Sequence, residues 1–402
     1  MKNFSIDAAM YFVVLILAFV IPISTAAASI SVGLGVIFVI FHRLRTKNFP
    51  QFDSNVLEVL AVFIVCEIFV ATMSWEPKIS FREVFGEIHR FFPLIFALTF
   101  VKTRKQLCGV LIATILAFLL NDLAGIMQYF ALKEPRAFGL SHTPTFYGSF
   151  MLMQLPFLIF ASQIKILPQI WRKIALATVI LSLICLVLSM TRGAWLAFVC
   201  VAVIFFILEP KYRLLTAKIF AGLAILFVIV AICSPTIHNR LETMVSTKFQ
   251  SNTERILMWK SAFEIFKDYP LSGIGQKMFV KAYNEQYISP EAVERPEVTD
   301  GGHTQPHNNL LNAASEGGIV GLSAFIGLYA YFFWRFWHQK RREERNFAFS
   351  AGLTAILILA GLQFEGLTDT NMTQVPIMRE FWLLTGVLMA SEHILNQKTI
   401  KE

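Results

Sequence analysis

The chain has 402 residues, of which 56% are hydrophobic and only 15% charged, with a mean hydropathy of +0.60 and a net charge of +8. That balance is too apolar for a soluble chain of this length and reads as an integral membrane protein. The positive charge does not call for nucleic acid, because the order of the basic residues has an explanation within a membrane.

About 20 apolar residues are needed to cross a bilayer as a helix. On that measure, spans fall near 8–24, 26–42, 55–73, 84–101, 106–131 and 143–166, then near 172–190, 193–208, 215–233, 318–336, 348–367 and 374–392. The expected fold is all-α, a polytopic membrane protein of about twelve transmembrane helices with one large outward loop holding short helices. Residues 1–233 would carry the first nine spans, 234–318 the loop, and 319–402 the last three spans with a cytoplasmic tail. No cleavable leader is expected, since only Lys2 precedes the first apolar run and a second run follows directly after Pro22-Ile23-Ser24. The five cysteines, Cys66, Cys108, Cys185, Cys200 and Cys233, sit in or at the end of apolar runs and read as packing residues, suggesting neither a disulfide nor a zinc site.

Basic clusters mark every second connection: Arg43 to Lys47, Lys102 to Lys105, Lys165 with Arg172 and Lys173, Lys211 with Arg213 and Lys218, and Arg335 to Arg345. With Lys2, Lys398 and Lys401 they hold more than half of the 35 Lys and Arg. The positive-inside rule puts them, and both termini, in the cytoplasm. The long polar stretch after Ser234 then faces outward, as do the short connections near Arg192 and Thr368. Other basic residues, among them Arg90, Arg136, Arg192 and Arg255, fall on or just within that outward side against the usual bias. They point either to an anionic ligand or to lipid phosphates at the interface.

Within the loop, Thr253 to Lys267 has helical periodicity, with Ile256, Trp259, Phe263 and Phe266 as its apolar stripe and Ser261 opposite. Arg255 lies one turn before Trp259, at the edge of that stripe, where it would bind an anion or snorkel to a headgroup. The acidic, proline-containing segment from Asn284 to Gly302 shows no helical period and reads as a covering loop. A second short helix is expected from a Thr304 cap, with Pro306 in its first turn, to Gly317-Gly318. His307, Leu310, Leu311 and Ala314 would share its buried face, where a structural histidine and a functional one look alike.

The soluble-enzyme signatures for P-loops, nucleophile elbows and zinc hydrolases are absent, and so is an outward Asp-x-Asp pair to hold a divalent metal against a diphosphate. Arginines can neutralise a phosphate without a metal. Arg192 sits in Met190-Thr191-Arg192-Gly193-Ala194-Trp195, at a tight outward turn between two apolar helices, where a permanent charge wants an anionic partner. Glu58, Glu67, Asp122 and Glu380 are intramembrane acids, expected either to pair with Arg90 or Arg379 or to form an ion relay.

Three stretches, MTRGAW at 190–195, ERILMWKSAFEIFKDYPLSGIGQKMF at 254–279 and PHNNLLNAASEGGIVG at 306–321, together resemble the O-antigen ligase and polymerase superfamily. The resemblance covers roughly Val187 to Leu322. It implies a C-type glycosyltransferase of the bacterial inner membrane that works at the periplasmic face on an undecaprenyl-diphosphate-linked glycan, without metal or other cofactor. The family's diphosphate-binding arginines fall on Arg192 and Arg255, and its catalytic histidine on His307. His303 lies outside the H-N-x-L core of the motif and is a weaker candidate, as are Arg136 and Arg90. The acceptor would be lipid A-core oligosaccharide for a ligase or a second lipid-linked repeat for a polymerase, and the concentration of motifs in one loop favours the ligase. A transporter of a lipid-linked or anionic solute remains the alternative of a different class.

Overall fold

The computed structural model describes residues 6–140, 143–245, 250–288, 305–342 and 350–396. Among the described residues the chain is all-α, without a strand. The helices are α1 (Ile6–Val20), α2 (Thr25–Thr46), α3 (Ser54–Thr72), α4 (Pro77–Phe100), α5 (Arg104–Phe130), α6 (Pro144–Gln163), α7 (Gln169–Leu188) and α8 (Arg192–Leu208). They continue with α9 (Arg213–Cys233), α10 (Pro235–Val245), α11 (Gln250–Asp268), α12 (Phe279–Ala282), α13 (Asn309–Arg342), α14 (Ala351–Glu365) and α15 (Val375–Asn396).

Every segment expected to span contains one of these helices. Among the described residues, seven are long and apolar enough to cross a membrane, namely α2, α3, α5, α6, α7, α13 and a run entering α9, while α1, α8 and α14 are apolar but shorter. The chain is therefore a multi-pass membrane protein. Their ends follow from local chemistry. Ser24, Asp53, Thr103, Thr143 and Ser350 each accept a backbone N–H of the first helical turn, and Thr103 with Gln106 forms a reciprocal capping box.

The interior is built around α6, α14 and α15, whose residues are buried on nearly every side. Here α15 packs along α4, α6 against α7, and α14 between α6 and α8. Trp382 centres an aromatic cluster with Phe91, Tyr329 and Phe332. Helix α9 is the opposite case, exposing Leu214, Ile225, Val228 and Ile232, as an all-apolar helix facing lipid would.

The intramembrane acids do not pair as expected. Asp122 accepts from Gln154 Nε2 at 2.8 Å and Ser182 Oγ at 2.7 Å, and Glu67 accepts from Gln276 Nε2 at 2.5 Å. Arg90 instead binds Glu83 and Glu87 on its own helix, two turns and one turn away, and Arg379 reaches Thr25 O and His89. Neighbours one or two turns away lie on the same helix face and reach each other before any acid across the bundle does.

Candidate functional site

One end of the bundle collects the turns after α3, α7 and α14 and the starts of α4, α8, α13 and α15. Helices α11 and α12 of the stretch after Ser234 are assembled there too, against α13. Trp75 donates its N–H to Ile274 O at 3.0 Å and Ser80 Oγ donates to Gln276 O at 3.0 Å, tying the loop to the α3–α4 turn.

The two glycine-rich motif pieces interlock through their backbones. Helix α13 is broken at Gly318, whose φ of 59° and ψ of −156° are not helical. The break frees backbone groups on both sides, and the 270–275 turn satisfies them. Ile274 and Gly275 N–H donate to Ser315 and Glu316 O, while Ile319 and Val320 N–H donate to Pro270 and Leu271 O. A Cβ on Gly318 would lie 2.5 Å from Leu271 O, so glycine is required for contact as well as for conformation.

The loop helix forms as expected, over Gln250–Asp268, but it is turned on its axis. Met258, Ala262 and Ile265 are buried against Ile274, Phe279 and Tyr283, and Leu257 and Ser261 are buried too, whereas Ile256 and Phe263 of the expected stripe are 43% and 51% exposed. Ser261, expected on the polar side, donates to Tyr287 O at 2.6 Å. The helix has two apolar faces, and the partner that covers one of them decides which is inward. Arg255 precedes Met258 and Ala262 at helical spacing and so stands on the protein side. Asn284 to Tyr287, read from sequence as covering loop, instead belong to a π turn continuing α12, and 289–304 lie outside the described residues.

The second loop helix starts later than its sequence suggests. Asn308 Oδ1 accepts Leu311 N–H at 3.0 Å, making Asn308 the cap and Asn309 the first helical residue. Pro306 therefore precedes the helix, and Leu310 points outward at 38% exposure. His307 is not on the helix face at all. It sits in the turn before it at φ 50°, a left-handed conformation that is rare for a residue with a Cβ and costs about 1 kcal/mol or more.

What holds that turn is the connection from α14 to α15. Asn309 N–H donates to Gly366 O at 2.7 Å, Asn308 Nδ2 to Leu367 O at 3.0 Å, and Asn308 N–H to Thr370 Oγ1 at 3.2 Å. Beneath them runs a buried polar chain in which Ser149 and Asn371 donate to Glu365 Oε2, at 2.6 and 2.9 Å, and Asn309 Nδ2 donates to Asn371 Oδ1 at 2.9 Å. The amides of the motif are thus structural, and the histidine they present is 28% exposed.

His307 Nδ1 lies 3.0 Å from Asp369 Oδ1. Burial on its own would push the Asp369 carboxyl up. The hydrogen bond and charge of His307, the charge of Arg255 and the N–H of Thr370 outweigh it, and the group is held below its ordinary 3.8. Arg255 thereby joins the same electrostatic neighbourhood. The turn that carries Arg192 packs on the same connection, where a Cβ on Gly193 would lie 2.5 Å from Thr368 Oγ1.

The turn before Arg192 is pinned from all directions. Met190 is left-handed at φ 49°, Trp195 Nε1 donates to Leu186 O at 2.8 Å, and Thr191 Oγ1 donates to Pro144 O at 2.9 Å. Arg136 donates through Nε to Ser189 O at 2.8 Å and through Nη2 to Thr191 Oγ1 at 3.1 Å, so it braces the turn that carries Arg192. Arg90 stands apart, bound by Glu83 and Glu87 in the wall of a separate cavity. His303 lies outside the described residues. No group of three or more His, Cys, Asp or Glu able to hold a metal occurs among the described residues.

Asp369 escaped the sequence reading. It is 62 residues from His307 in a connection, Thr368 to Gln374, that reads only as a polar joint between two apolar runs. A lone carboxylate among hydroxyl and amide side chains at the outward end of a span was the available signal.

Residues 177–326 match the O-Antigen ligase family. The O-antigen ligase of Salmonella typhimurium is 25% identical over 382 residues, covering 88% of this chain and 88% of that protein. The family match contains the Arg192 turn, the loop helix and the His307 turn, and the relative extends over the helices on both sides. These matches and the three motifs agree in likening the chain to the O-antigen ligase and polymerase superfamily.

Proposed function

We propose that the chain is an O-antigen ligase that transfers an undecaprenyl-diphosphate-linked glycan to lipid A-core oligosaccharide. It would do so at the periplasmic face of the bacterial inner membrane, with both termini cytoplasmic and about twelve spans. Residues 234–318 form its outward catalytic segment, set between membrane regions 1–233 and 319–402. The observation that carries this reading is the His307–Asp369 pair, with Arg255 acting on the same carboxylate and the Arg192 turn packed against its base.

Such an arrangement suits direct displacement without a metal. An ionised Asp369 accepts from His307 Nδ1–H, which fixes the tautomer and leaves Nε2 to take the proton of the acceptor hydroxyl. The hydroxyl oxygen forms its bond to the anomeric carbon as the bond from that carbon to the diphosphate oxygen breaks, inverting the centre. The electron pair leaves with undecaprenyl diphosphate, whose developing charge Arg192 and Arg255 stabilise. The imidazolium formed at His307 is stabilised in turn by Asp369.

The test is purified protein in liposomes with a labelled lipid-linked glycan and, separately, lipid A-core or unlabelled lipid-linked repeat as acceptor. Label on lipid A-core with release of undecaprenyl diphosphate is expected. Longer lipid-linked chains would make the protein a polymerase, and movement of label across the bilayer without bond cleavage would make it a transporter.

A further inference from the structure

A second cavity, between α3, α4 and α13, has a chemistry opposite to that of the His307 site. Its volume is about 90 Å³. Four carboxylates line it, Glu67, Glu83, Glu87 and Glu316, against the two cations Arg90 and Lys277. Arg90 is already bound by Glu83 and Glu87. With four carboxyl groups to two cations, and Arg90 already engaged, the wall is poor in the donors a phosphate needs. Carboxylates and side-chain amides, by contrast, are the groups that pair with sugar hydroxyls, and the Phe63, Phe91 and Tyr329 rings in the same wall suit the apolar face of a sugar ring.

The cavity also holds hydrogen-bonding capacity that the protein leaves unused. Arg90 Nε and Asn312 Oδ1 are buried, in residues only 3% and 6% exposed, and have no hydrogen-bond partner among the described residues, nor has Gln276 Oε1. Buried polar atoms are normally satisfied, so these mark a place where a polar ligand completes the wall. Gln305 and Asn309, which flank His307 in the chain, both line it.

We infer that this cavity is the subsite for the terminal sugar of the acceptor oligosaccharide, taken as an unphosphorylated, hydroxyl-bearing ring. The inference rests on the transfer reaction proposed above for its acceptor. It assigns the two substrates to different chemistry, the donor diphosphate to Arg192 and Arg255 and the acceptor sugar to the carboxylate-lined cavity.

Two variants test it. Glu67→Gln keeps the volume of a wall residue and replaces its carboxyl with an amide. Gly317→Leu fills the cavity without deleting a native contact, since a Cβ at 317 meets nothing nearer than Leu322 N at 3.8 Å. In the full-length His307→Ala protein in detergent, the affinity for deacylated core oligosaccharide is expected to fall at least tenfold with Gly317→Leu and severalfold with Glu67→Gln. Affinity for the lipid-linked glycan should stay within twofold. With His307 restored, acceptor KM should rise and kcat hold. Unchanged oligosaccharide affinity in Gly317→Leu, or equal loss of both ligands, overturns the subsite. If wild-type protein binds the oligosaccharide with this pattern yet transfers no glycan, the subsite stands and the ligase reading fails.

Discussion

Arg192 and Arg90 look alike in sequence, each a permanent charge near the outward end of an apolar helix, and the fold treats them in opposite ways. Arg90 is 3% exposed and is neutralised by two carboxylates of its own helix. Arg192 is half-buried at the first position of α8, on a turn braced by Arg136, Thr191 and Trp195 and packed against Thr368. The difference teaches that position near a helix end does not set an arginine's surroundings: Arg90 is matched by acids of its own helix, and Arg192 is fixed through the turn that carries it.

The largest effect expected on that contrast is at the base. His307→Ala should lower glycan transfer roughly a thousandfold, the usual scale for a general base, with the protein still eluting as a single species from gel filtration. Next come Arg192→Gln and Arg255→Gln, each expected to lower kcat about a hundredfold, as for loss of one group stabilising a leaving charge. Wild-type turnover in either would remove it from the donor site. Asp369→Asn loses one charge-assisted hydrogen bond of about 1.5–3 kcal/mol, so kcat should fall at least about tenfold while donor KM changes little.

Asp369 also carries a pH signature. Because its carboxyl is held below 3.8, the stability it contributes is complete above that value and is lost as pH falls through the lower folded-state value. Acid unfolding followed by tryptophan fluorescence should be less steep in Asp369→Asn. Arg90→Met reverses the pattern of Arg192→Gln. It breaks a buried ion cluster, for about 3 kcal/mol of stability, and is expected to lower the thermal midpoint while donor KM holds; a raised donor KM would place Arg90 with the diphosphate after all.

The parts of this picture legible in sequence are those with a local cause. Apolar runs of membrane length located α1 to α9 and α13 to α15, and the three motifs pointed to Arg192, Arg255 and His307. The helical period of 254–267 located α11 but not its inward face, because Ile256 and Phe263 are as apolar as Leu257 and Ile265. Pro306 suggested a helix start that the Asn308 cap moves on by a few residues, and with it His307 leaves the helix face.

Composition and the order of apolar and basic residues were enough for an all-α membrane protein and for the three motifs, since span length and charge bias act along the chain itself. Only the tertiary structure joined His307 to Asp369, locked Pro270–Gly275 onto the break at Gly318, and assigned Arg90 to its own helix. Those pairings depend on which helix ends meet across the bundle, and side chains 62 residues apart leave no periodic trace of their contact in the sequence.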